Sequence, residues 1–308
     1  MSAVKIFAGS GTKNLAQKIA HCYGKELGEL TIQRFSDGEM SPYFNESIRG
    51  NEVFLIQSTM PPSENLMELL LMIDAAKRAS ANTVTVLMPY FGYARQDRKD
   101  KPRVAIGAKL VANLLVAAGA SRVVTCELHA GQIQGFFDIP VVHLQSSAIF
   151  VPYLQSLNLD NFIFAAPDVG GVSRARAYAK FFKTDMVICD KHRTRANEIA
   201  SMQLIGDVTG MHVILVDDLI DTAGTMCNAA QMLMDKGALS VRAICTHGVL
   251  SGAAYDRIEK SVMEEVVITD SIPPEKQLSK IRVLTVADLF AKAVRKIHDH
   301  ESISSLFI

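Results

Sequence analysis

Three observations predict an α/β fold: short β-branched runs recur along the chain, these runs are apolar on both faces, and longer helix-like stretches separate them. The runs are VKIFA (4–8), EVFLIQ (52–57), TVTVLMPY (83–90), RVVTCEL (122–128), FIFAAPD (162–168), DMVICD (185–190), HVILVDD (212–218), VRAICTH (241–247) and VVITD (266–270). Strands apolar on both faces need helices on both sides, which implies largely parallel sheets. Among the intervening segments, ENLMELLLMIDAAKRA (64–79) is apolar around most of its circumference. It predicts a helix packed between a sheet and a second surface, in the core or on another subunit. Pro42 in SPYFNESIRG (41–50) lacks a backbone donor and demotes that piece to an edge strand or a turn.

A chain of 308 residues accommodates two such domains. The strand and helix rhythm recurs in both halves. The expected organisation is an N-terminal α/β domain over 1–145, a C-terminal one over 146–288, and a closing helix and tail over 289–308 that pack back on the first domain. The charge is balanced, with 32 basic and 32 acidic residues, so no global field attracts nucleic acid or an anionic membrane. Five scattered cysteines without a C-x-x-C pair argue against a disulfide framework or a zinc site and for a reducing compartment. The opening MSAVKIFAGSGT predicts neither a secretory leader nor a membrane span, hence a cytoplasmic protein.

Open parallel sheets bind ligands beyond the carboxyl ends of their strands. Polar residues gather there: Glu127-Leu128-His129, Asp168, Asp217-Asp218, Thr246-His247 and Thr269-Asp270. A single Asp in such a place is commonly a helix cap. The doublet in DDLIDTAGT says more. Backbone amides from Asp221 through Thr222, Ala223 and Gly224 to Thr225 can converge on a phosphate at the entrance of the next helix. Asp217 and Asp218 cannot hold a phosphate, so they require neutral hydroxyls or a divalent cation. A sugar phosphate offers both a phosphate and vicinal hydroxyls, and the loop reads as a ribose-phosphate grip.

A strand, an acidic pair and a D-T-x-G-T loop together resemble the binding motif of the phosphoribosyltransferase superfamily. Four further stretches narrow the resemblance: RFSDGEM (34–40), YARQDRKDKPR (93–103), ELHAGQIQGFFDIP (127–140) and DKHRTRANE (190–198). Taken in order over essentially the whole chain, the set is similar to the ribose-phosphate pyrophosphokinases, which make phosphoribosyl pyrophosphate for nucleotide, histidine and tryptophan biosynthesis. The resemblance implies two phosphoribosyltransferase-like domains and a reaction between ATP and ribose 5-phosphate. It assigns ATP to Phe35, Asp37, Gly38 and Glu39 of a neighbouring subunit's turn together with Arg95 and Gln96. Guanidinium groups suit a triphosphate because they bind oxygens in pairs.

It likewise assigns ribose 5-phosphate to residues 217, 218 and 221–225 with Arg193, and catalysis to Lys191 and Arg193. Magnesium falls to His129 and Asp168. It implies a homohexamer, activated by inorganic phosphate and inhibited by ADP at a region matched by Ser47, Arg49, Arg103, Ser302, Ser304 and Phe307. Taken alone, SDG is only a turn signal, the 95–103 run only a mixed-charge surface and DKHRTRANE only a basic loop. An ordinary phosphoribosyltransferase would not require the FSDGE, RQD and KHR stretches, and a silent regulatory homologue would alter the catalytic loop. A Rossmann-type redox enzyme would carry G-x-G-x-x-G, and a P-loop enzyme the Walker A spacing; AGSGTKN supplies neither.

Overall fold

The computed structural model describes residues 2–192 and 201–306. The chain divides into two compact units, residues 1–148 with 285–308, and residues 149–284.

The first unit contains β1 (Val4–Ala8), α1 (Lys13–Tyr23), β2 (Leu30–Arg34), β3 (Met40–Phe44), β4 (Glu52–Ile56), α2 (Glu64–Arg78), β5 (Thr83–Met88), α3 (Gly107–Ala118), β6 (Arg122–Cys126) and β7 (Val141–Leu144). Five strands form a wholly parallel sheet in the order β1-β4-β5-β6-β7. Strands β2 and β3 form a separate antiparallel ribbon, in which Pro42 faces Ile32. Pro42 is tolerated there because a two-stranded ribbon consists entirely of edges. Val53, Leu55, Val84 and Val86 of the sheet meet Leu69, Met72 and Ile73 of α2 and Val111 and Leu115 of α3 in one buried cluster. Each such side chain contributes about 1.5–3 kcal/mol on leaving water. Part of the second surface expected for α2 is supplied by β3 and α3 of its own unit, while Met67 stays exposed.

At the carboxyl end of β1 the turn 9–12 leads into α1. Ser10 donates to the buried Glu68 of α2 twice, from its backbone N–H to Oε1 (2.6 Å) and from its hydroxyl to Oε2 (2.7 Å).

The second unit contains α4 (Ser147–Ser156), which begins at its boundary, then β8 (Phe162–Ala166), α5 (Val172–Phe182), β9 (Met186–His192), β10 (Ser201–Ile205), β11 (His212–Ile220), α6 (Gly224–Asp235), β12 (Ser240–Gly248), α7 (Ala254–Lys260), β13 (Glu265–Thr269) and β14 (Ile281–Leu284). Its seven strands lie in the order β10-β9-β8-β11-β12-β13-β14 and are parallel except for β10 against β9. Both faces are covered. One carries Val213, Leu215, Ala243 and Val266 against α6 and α7, the other Phe164, Ile214 and Val216 against α4 and α5. The last helix, α8 (Ala287–His298), returns to the first unit and packs on α1, where Arg295 donates to Tyr23 O (3.0 Å) and stacks over the Tyr23 ring.

Candidate active site

The acidic pair lies on β11, which runs two residues beyond the end its sequence predicts. Asp217 therefore still pairs in register with Cys245 of β12, and the ladder continues to Ile220 and Gly248. Asp218 is 4 % exposed and Asp217 half-buried. Arg174 of α5 approaches both, at 3.2 Å from Asp218 Oδ1 and 3.5 Å from Asp217 Oδ1. The Asp217 carboxyl is held well above the usual carboxylate range. Burial disfavours its charged form and Asp218 sits beside it, while Arg174 opposes the shift. Burial and the same two carboxylates push up the Cys245 thiol behind them.

The loop after β11 turns on Ala223, whose φ of +61° lies in the left-handed region. The strained residue is thus Ala223, at the N-terminal boundary of α6, and not the glycine that follows it. A non-glycine residue holds this conformation only where its surroundings enforce it. Here the segment after β12 does so. Leu250 N–H donates to Ile220 O (3.0 Å), Ser251 N–H to Asp221 O (3.0 Å), the Ser251 hydroxyl to Asp221 Oδ1, and Arg257 of α7 to Thr222 O (2.7 Å). At Gly224 a Cβ would meet no described atom closer than 3.9 Å, so the first residue of α6 is uncrowded on that side. A strand-end acceptor pair and an amide turn thus lie on consecutive residues. This arrangement takes hydroxyls on one side and an anion on the other.

Asp168 follows β8 and caps the short turn 169–171, its Oδ1 accepting from Gly171 N–H (3.2 Å). Next to it in the sheet, β9 carries Lys191 opposite Met202 of β10. Arg193 and the side chain of Lys191 lie outside the described residues.

In the first unit, Arg95, Gln96, Asp97, Arg98, Asp100 and His129 line one cleft of about 380 Å³. Sequence-distant parts are brought together there, because the 93–103 segment follows β5 and His129 follows β6, neighbours in the sheet. Glu127, at φ +44°, turns the chain out of β6 and is fixed by accepting from Ser146 N–H (3.0 Å) and the Ser146 hydroxyl (2.7 Å). Phe35, Asp37, Gly38 and Glu39 are not among the residues lining that cleft. They form the exposed tip of the β2–β3 ribbon, closed by Phe35 N–H to Glu39 O (2.9 Å) and Glu39 N–H to Asp37 Oδ1 (3.0 Å), with Phe35 48 % exposed.

The described candidates for regulation are peripheral: Ser47 is exposed, Arg49 donates to Ser80 Oγ (3.2 Å), Arg103 is exposed at φ +66°, and Ser302 donates to Ser304 Oγ (3.0 Å). Phe307 lies outside the described residues. Among the described residues no three His, Cys, Asp or Glu side chains form a metal cage, and no helix is long and apolar enough to cross a membrane.

Residues 4–119 match the N-terminal domain of ribose phosphate pyrophosphokinase, and residues 180–308 match the phosphoribosyl synthetase-associated domain. A ribose-phosphate pyrophosphokinase of Porphyromonas gingivalis is 54 % identical over 303 residues, which cover 98 % of this chain and 97 % of the relative. The chain belongs to the ribose-phosphate pyrophosphokinase family. The Campylobacter jejuni member is 53 % identical over 309 residues and matches end to end, covering 100 % of both chains. Among solved structures, the phosphoribosylpyrophosphate synthetase from Mycobacterium smegmatis superposes with a TM-score of 0.92 at 37 % identity, covering 97 % of this chain and 100 % of that one. For a ribose-phosphate pyrophosphokinase, the residues that sequence reasoning missed are Arg174, Ser251 and Arg257. They contact the acidic pair and the loop after it from helices and a turn outside the quoted motifs, and helical periodicity places Arg174 on the inner face of α5 beside Ala175 and Tyr178.

Proposed function

We propose that this chain transfers the β,γ-pyrophosphoryl group of ATP to the 1-hydroxyl of ribose 5-phosphate, giving 5-phosphoribosyl 1-pyrophosphate and AMP. The observation that carries the reading is the adjacency on β11 and its following loop of a paired carboxylate acceptor and an amide turn, in a chain matching pyrophosphokinases over its full length. Asp217 and Asp218 accept the vicinal hydroxyls of the ribose, and the amides of 221–225 hold its 5-phosphate. Arg95 and Gln96 take the nucleotide phosphates in the cleft of the first unit. The exposed Phe35 tip, with Asp37 and Glu39, binds adenine in the site of a neighbouring copy, which makes a homo-oligomer, a hexamer in this reading, part of the mechanism.

The 1-hydroxyl oxygen bonds to the β-phosphorus as the α,β-bridging oxygen leaves with AMP. Such a transfer asks the protein for alignment and charge stabilisation. Lys191 and Arg193 supply the cationic charge, with Arg193 also contacting the sugar phosphate. The Asp168 carboxylate, at the end of β8, fits magnesium as a companion of nucleotide phosphates, since magnesium takes oxygen ligands and commonly keeps one or two carboxylates beside water and phosphate oxygens. Asp168 and His129 are its proposed protein ligands, and when bound it would offset charge on the transferring phosphates. Phosphate activation and ADP inhibition through Ser47, Arg49, Arg103, Ser302, Ser304 and Phe307, and a cytoplasmic location consistent with free cysteines, complete the proposal.

The test is AMP formation from ATP, magnesium and ribose 5-phosphate, with and without inorganic phosphate, beside Lys191→Ala. Sugar-dependent AMP that falls on the order of a hundredfold in the variant, about 3 kcal/mol of lost transition-state stabilisation, is expected. AMP release independent of the sugar, or an unchanged turnover in the variant, refutes the assignment.

A further inference from the structure

Asp217 and Asp218 are consecutive on a strand, where side chains ordinarily point to opposite faces. Both nevertheless bring Oδ1 to the same guanidinium nitrogen of Arg174, at 3.5 and 3.2 Å. The Arg174 side chain is largely covered, 15 % exposed, and projects from the first turn of α5, a helix packed against β8 and β11. Arg176, two residues on, is exposed, so the inward placement belongs to Arg174. A carboxylate has room for about four hydrogen bonds; Asp217 Oδ1 accepts from Arg174 and from Asp218 N–H (2.9 Å), and Asp218 Oδ1 meets the same guanidinium nitrogen.

Resting on the proposed function, we propose that Arg174 is a positioning residue that fixes the two carboxylates as one acceptor surface for a vicinal diol, and thereby sets the preference for ribose over 2-deoxyribose phosphates. A site built to bind a hydroxyl rejects the analogue lacking it, because its own polar groups are then left unpaired. That rejection requires both acceptors to be held in place. Without Arg174, adjacent carboxylates repel and can splay to the two faces of the strand.

The experiment compares kcat/KM for ribose 5-phosphate and 2-deoxyribose 5-phosphate in the wild type, Arg174→Gln and Arg174→Lys, with AMP as the readout and urea melts to check folding. The wild type is expected to prefer ribose 5-phosphate by on the order of a hundredfold or more. Arg174→Gln should cut that ratio about tenfold, through KM for ribose 5-phosphate, with KM for ATP within about twofold. Lysine keeps the charge but is a point cation on a flexible stem rather than a planar fork, so its ratio should fall between the two. A wild-type ratio in either variant, even with both rates lowered, overturns the proposal, because a merely structural role would depress both sugars alike. If Arg174→Gln does not fold, Arg174→Lys decides by the same criterion. A wild type that makes no AMP from ribose 5-phosphate overturns the proposed function itself, and this inference with it. Sugar-dependent AMP with unchanged ratios overturns this inference alone.

Discussion

Replacing Asp217 with asparagine should make the protein more stable while weakening its grip on ribose 5-phosphate. The asparagine side chain keeps the oxygen that accepts Asp218 N–H at 2.9 Å, so the substitution removes a charge and little else. That charge is attracted to Arg174 at 3.5 Å, worth about 5 kcal/mol at an effective dielectric near 20. The carboxyl is nonetheless held well above its usual range, so burial and the repulsion from Asp218 outweigh the attraction. Removing the charge should therefore stabilise the native state by roughly 0.5–2 kcal/mol near pH 7, the scale seen when function holds a site away from its stability optimum.

The pH dependence follows in sign. Between the ordinary carboxylate range near 4 and its raised native value, Asp217 keeps its proton in the folded chain and has lost it in the unfolded one. Native protein binds more protons there, so this group makes stability fall as pH rises. The variant lacks that fall. Urea midpoints of the two proteins should coincide near pH 4 and separate toward pH 7, with the asparagine variant higher, while KM for ribose 5-phosphate rises. A variant less stable at pH 7, or a gap that does not widen with pH, refutes the electrostatic reasoning.

Arg257→Met should raise KM for ribose 5-phosphate about fivefold and leave KM for ATP unchanged. A hydrogen bond from a charged donor contributes roughly 1.5–3 kcal/mol, and solvent around the exposed Arg257 reduces this to about 1 kcal/mol. An unchanged KM in steady-state kinetics would show that the segment 250–251 holds the loop unaided. Gly92→Ala should cost about 3 kcal/mol in urea unfolding, because its Cβ would lie 2.1 Å from Thr59 O, a backbone atom that the neighbouring Gly92 N–H to Thr59 Oγ1 bond (2.8 Å) keeps close. A loss below about 1 kcal/mol would mean that the turn between β5 and the cleft of the first unit relaxes freely.

The central strands β4, β5, β6, β8, β11, β12 and β13 were legible because both their faces are buried, and β1, although at an edge, is apolar enough to read the same way. Those that escaped are margins. β7 is four residues after Pro140, β10 pairs antiparallel at one edge, and β14 has two exposed residues of four at the other. Edge strands carry polar residues by necessity, so composition does not separate them from loops. At the site, the acidic pair and the amide turn could be read locally because they are consecutive. The strain at Ala223 could not, since alanine has no liking for the left-handed region and is held there by Ser251 and Arg257, which are about thirty residues away. His129 and Arg95 line one cleft because β5 and β6 are neighbours in the sheet, a fact of topology.

The Ser10–Glu68 contact bears on how many sugar phosphates one chain can hold. In each unit a parallel strand, β1 at the edge of the first sheet and β11 inside the second, ends in a small-residue turn that opens a helix, and such turns present backbone N–H groups to anions. In the first unit the chain supplies that anion from within, the Glu68 carboxylate that accepts Ser10 N–H and the Ser10 hydroxyl. A titration with ribose 5-phosphate should accordingly saturate at one equivalent per chain at these turns, the second nest being filled from the moment the protein folds.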